Sequence, residues 1–85
     1  MTKIPSSRAI EAALRAHLAS KGHTKAFVNV QQMPGTKDGR IYIITTESSL
    51  ASLLEPFLEM RTGRRCPYVQ GSFLLHGPDA ERLLS

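Results

Sequence analysis

Eighty-five residues with 41% hydrophobic side chains describe one small domain, 1–85, too apolar for a disordered chain and too short for two separate cores. A lone cysteine, Cys66, excludes the disulfide-stapled secreted scaffolds, and no window approaches the roughly 18 apolar residues of a membrane span, so a cytoplasmic protein is expected. Eleven Lys and Arg against seven Asp and Glu give a net charge of +4, and the absence of Trp excludes the aromatic-lined grooves that hold sugars or nucleotide caps.

The opening MTKIPSSRAI has Pro5 and two serines where a signal peptide would carry its apolar run. Ile10, Ala13, Leu14, His17 and Leu18 then recur at the spacing of one helical stripe. Ser6 or Ser7 can cap that helix, and Lys21 followed by Gly22 stops it, giving a helix over about 7–21. Next the period shortens to two: Val28 and Val30 alternate with Phe27 and Asn29, and Ile41 to Ile44 form a β-branched and aromatic run. Pro-Gly and Asp-Gly pairs between Met33 and Gly39 make the connection a β-hairpin with a long, mobile tip.

Ser48 or Ser49 can cap a second stripe at Leu50, Leu53, Leu54, Phe57 and Leu58, which Gly63 closes. Pro56 lies inside that stripe and must either kink the helix or divide it in two. Alternation returns from Tyr68 to His76, a third strand, and Gly77-Pro78-Asp79 opens a terminal helix carrying Leu83 and Leu84. The expected fold is α+β in the order α-β-β-α-β-α, a small three-stranded sheet with helices packed on one face. Its expected core is Ile10, Leu14, Leu18, Val28, Val30, Ile41, Ile43, Leu50, Leu53, Leu54, Phe57, Val69 and Phe73.

Chemistry is scarce in this sequence. No Cys or His signature surrounds Cys66, and His17, His23 and His76 fit a core-edge histidine and two turn residues. No ligand pair has metal-site spacing, and neither of the standard glycine-rich phosphate loops occurs. The expectation is a non-enzymatic binding module with no catalytic residue, no cofactor and no metal.

Charge is segregated along the chain. Residues 1–25 hold five cations against Glu11, and Arg61, Arg64 and Arg65 form a second cluster without an acid among them. If the two turns lay along one edge, Arg15, Lys21, Lys25, Arg61, Arg64 and Arg65 would suit nucleic-acid phosphates, so DNA or RNA is the first expected partner. The element order resembles the type II KH layout in topology. The KH GXXG loop, however, would fall near Leu54-Glu55-Pro56-Phe57, which has no glycine, so no family follows.

A protein partner is the alternative: a regulatory inhibitor or adaptor, of the kind mobile elements encode. A three-stranded sheet with apolar residues on both faces leaves Tyr42, Ile44, Tyr68 or Leu74 over after the helices dock, and a second copy forming a homodimer is an expected cover for them.

Overall fold

The computed structural model describes residues 6–34 and 40–84, and its element order is α-β-β-α-β-α, as the hydrophobic periods predict. Helix α1 is Ser7–Ser20, strands β1 and β2 are Val28–Pro34 and Arg40–Thr46, helix α2 is Ser48–Thr62, strand β3 is Ser72–His76 and helix α3 is Gly77–Leu84. Helix α1 starts where the Ser6 side chain accepts a hydrogen bond from the Ala9 amide at 3.1 Å. It ends in a Schellman motif, with Gly22 at φ +91° and the His23 amide donating to the Leu18 carbonyl at 2.8 Å.

The strands form one antiparallel sheet in the order β1-β2-β3. Val30 pairs with Ile44, and Ile44 with Phe73, while Gln31 pairs with Ile43, and Ile43 with Leu74. Side chains one step apart face opposite ways, so these two rows lie on opposite faces. The first row is core: α1 lies over β1, α3 lies over β2 and β3, and α2 packs against both helices. The second row faces away from all three helices.

Several sequence expectations change here. Ile41 and Ile43 are only half-buried and belong to the outer face; Tyr42 and Ile44 are fully buried in their place. The run Ile41 to Ile44 is apolar on both parities, so only pairing with β1, which puts Val28 and Val30 opposite Thr46 and Ile44, decides which side is inward. Leu53 is half-buried against the core, and Val69 is 58% exposed because it does not sit in a strand. Gln70 at φ +51° and Gly71 at φ +82° make a two-residue turn, closed by reciprocal bonds between Val69 and Ser72 at 2.9 and 3.0 Å. Positive φ at both central residues is the geometry of a type I′ turn. The third strand therefore begins at Ser72, four residues later than its alternation suggests.

Glu47, not Ser48 or Ser49, occupies the N-cap of α2, and it forms no side-chain cap bond. Pro56 divides nothing: α2 runs continuously through it, the proline side chain being exposed. Met33 and Pro34 extend β1, and the rest of the expected hairpin tip, 35–39, lies outside the described residues.

Candidate interaction surface

The two basic clusters do not meet. Residues 22–26 line a hollow with Glu47, Ser49 and Leu50 at the start of α2, whereas Arg61 lies in its last turn with Arg64 and Arg65 just beyond. A helix of 15 residues separates them by about 22 Å. Lys21 and Lys25 are exposed, and Lys25 lines the hollow with Glu47.

Arg15 is committed elsewhere. Its guanidinium pairs with Glu11 at 3.0 Å and donates to the carbonyls of Ala26 and Val28, each at 3.0 Å. It fastens α1 to the start of β1, with three of its five N–H donors engaged within the chain. Arg61 lies over the Phe57 ring at 5.3 Å, and the other side of the aromatic pair is His17, stacked on Phe57 at 4.1 Å between centroids. Arg64 approaches Asp79 at 3.9 Å and Arg65 approaches Glu55 at 4.0 Å, both loosely. Their side chains remain 69% and 79% exposed.

Asp79 is buried at the start of α3, where the helix dipole favours a carboxylate, and Arg82 approaches it at 3.8 Å. Arg82 also donates to the Thr62 carbonyl at 3.3 Å, a cation set against the C-terminal end of α2. Acids are thus interleaved with the arginines at this end of the molecule.

The outer face of the sheet carries the apolar surface. Met33 pairs with Ile41, and Ile41 with His76; the neighbouring row is Gln31, Ile43 and Leu74. Met33 and Leu74 are 45% and 52% exposed. Of the residues expected on this face, Leu74 is there; Tyr42 and Ile44 are in the core, and Tyr68 is half-buried against Phe73 at 5.1 Å between ring centroids. Tyr68 also donates to the Thr46 carbonyl at 2.6 Å, so its polar end is satisfied on the helix side of the sheet.

Beside Leu74 the face continues into a cleft of about 610 Å³. Its wall is β3 with Ile43, and its floor is the segment 64–70 that brings the chain back from α2. Cys66, Pro67 and Val69 make that floor apolar, and Arg64, Arg65 and His76 stand at its rim with Asp79 below. Neither Ile43, Val69 nor the cleft is legible from spacing, because the cleft arises where the chain turns away from β3 at Tyr68.

Burial pushes the Cys66 thiol up from its ordinary value, with the Asp79 and Glu55 carboxylates adding to the rise, which is the reverse of what activates a nucleophile. Among the described residues no three His, Cys, Asp or Glu side chains converge on a metal position, and no helix is long and apolar enough to cross a membrane. Comparison with protein-family models, with curated proteins and with solved structures finds no match to this chain.

Proposed function

We propose that the chain is a non-catalytic protein-binding module that meets its partner through the outer sheet face and the cleft beside β3. One observation carries the reading: Met33, Ile41, Ile43, Leu74 and Val69 form an exposed or half-buried apolar tract that runs into a cleft rimmed by Arg64, Arg65 and His76. An apolar centre inside a polar rim is the composition of a protein interface, with arginine favoured at its edge and lysine not. Contacts to nucleic-acid phosphate are less well supported: Arg15 already donates to Glu11 and to the carbonyls of Ala26 and Val28, and Lys25 stands a helix length from the arginines with Glu47 beside it.

The test pairs two titrations followed by fluorescence anisotropy. Peptides selected from a random display library against the purified chain should bind at 0.15 M salt, and Leu74→Lys or Ile43→Lys should weaken them at least ten-fold with the circular dichroism unchanged. Random single- and double-stranded oligonucleotides should show no binding at that salt. Oligonucleotide binding with a log-log salt slope of about −3 to −4, unaffected by Leu74→Lys, would replace this reading with phosphate-backbone recognition.

A further inference from the structure

We infer that the partner enters this cleft as an extended, acid-bearing segment that adds to β3 as a fourth strand, an inference that rests on the protein-binding reading above. It follows from the backbone of β3. In an antiparallel sheet successive residues turn their N–H and C=O groups to alternate sides. Gly71 accepts from the Thr46 amide of β2 at 3.2 Å, so Gly71, Phe73 and Leu75 face β2. Ser72, Leu74 and His76 face the other way, and Ser72 uses both of its groups on Val69.

Beyond that pair the returning chain leaves the strand edge. Tyr68 tilts its ring onto Phe73 and sends its hydroxyl to Thr46 on the core side, Cys66 is buried, and among the described residues no backbone bond joins 64–68 to β3. The N–H and C=O of Leu74 and the N–H of His76 therefore point outward along the cleft wall, a strand edge without a backbone partner among the described residues. Edges of this kind are completed by an added strand, whose backbone supplies affinity and whose alternate side chains supply selectivity. Side chains on one face of such a strand would meet Ile43, Leu74 and Val69, all at or beside the cleft.

Charge decides between a foreign segment and a second copy of this chain. The rim offers Arg64 and Arg65, each 3.9–4.0 Å from its own carboxylate and more than two-thirds exposed, and His76 beside them. Among the described residues the acid lining the cleft is Asp79, which is buried and already approached by Arg64 and Arg82. Two copies paired through β3 would bring like-charged rims together on chains of +4 each, whereas a segment with Glu or Asp beside its apolar positions would complement them.

The probe is a capped seven-residue peptide alternating valine with glutamate, compared with the same peptide carrying lysine in place of glutamate. Binding is followed by anisotropy and by amide hydrogen exchange of the intact chain. The glutamate peptide should bind at least five-fold tighter than the lysine peptide, and Arg64→Gln with Arg65→Gln should erase that preference. Saturation should slow exchange at the Leu74 amide by at least ten-fold, and N-methylating alternate peptide nitrogens on the strand-facing side should cost at least ten-fold in affinity, while methylating the other side should cost little. If library-selected peptides bind the sheet face but the alternating peptide fails, or binds without protecting Leu74, strand addition is wrong and the protein-binding reading stands. If no selected peptide is sensitive to Leu74→Lys, the protein-binding reading falls as well. Sedimentation at twice the chain mass, with Leu74 already protected in the unliganded protein, would assign the edge to a second copy and overturn the inference.

Discussion

Arg15 shows how far the role of a side chain departs from its charge. In the sequence it is one more cation on a basic helix; in the structure it joins Glu11 to the carbonyls of Ala26 and Val28 across the turn into β1. Arg15→Met should therefore lower stability by about 1–2 kcal/mol, as two carbonyls lose their charged donor, and should leave ligand binding unchanged. Urea denaturation monitored beside a binding titration separates the two effects.

Cys66 gives a second residue-level expectation, this time in pH. Its thiol holds its proton more tightly folded than unfolded because burial and then the Asp79 and Glu55 carboxylates disfavour the thiolate. A raised folded-state pKa contributes stability that is complete below the ordinary thiol range and is lost as pH rises through it towards the folded value. Thermal melts should thus show stability falling from about pH 8.5 upward, and Cys66→Ala should lose that slope while keeping the rest of the profile. Modification of the thiol by a maleimide at pH 7 should be slow until denaturant is added.

At the scale of elements, the helices were legible and one strand boundary was not. The stripe at Ile10, Leu14 and Leu18 and the one at Leu50, Leu54, Phe57 and Leu58 are buried as their spacing requires, since a helix with a single apolar face has one way to dock. Leu54 is fully buried at the centre of α2, and Leu54→Ala should cost about 2–5 kcal/mol in chemical denaturation. Parity in β2 was illegible because Ile41, Tyr42, Ile43 and Ile44 supply an apolar residue to either face. Spacing alone therefore leaves Tyr42 and Ile44 to the outer face and Ile41 and Ile43 to the core, the reverse of what pairing with β1 imposes.

The turn at Gln70-Gly71 hid for a different reason: Val69 and Phe73 keep a period of two straight through it. Gln70 there holds a φ of +51° that asparagine tolerates better than glutamine. Gln70→Asn should raise the melting temperature by a few degrees, and Gly71→Ala should lower it, because φ +82° is strained for any side chain even though the nearest neighbour, the Tyr68 hydroxyl, is 3.9 Å from the added carbon. Differential scanning calorimetry of the two variants reads both signs. Opposite signs would mean that this turn does not limit stability.

For the whole molecule, the arrangement of layers sets where binding can occur. Among the described residues, three helices on one side of a three-stranded sheet leave its other face uncovered, and pairing with both β1 and β3 makes β2 the central strand. Composition announces a net positive chain but does not say where the charge gathers. Folding parts Lys21 and Lys25 from Arg61, Arg64 and Arg65 by the length of α2, and it sets the arginines beside acids and an apolar cleft. The candidate site was legible only in part, through Arg64 and Arg65 at its rim and Leu74 on its wall; the rest depends on a crossing from α2 back to β3 that no local pattern encodes. Amide chemical-shift mapping of the isotope-labelled chain during titration with a library-selected peptide tests the central claim most directly. The account predicts that the largest shifts fall on 64–69, on Ser72 to His76 and on Ile43; shifts centred on 21–25 or on the outward side of α1, with β3 silent, would contradict it.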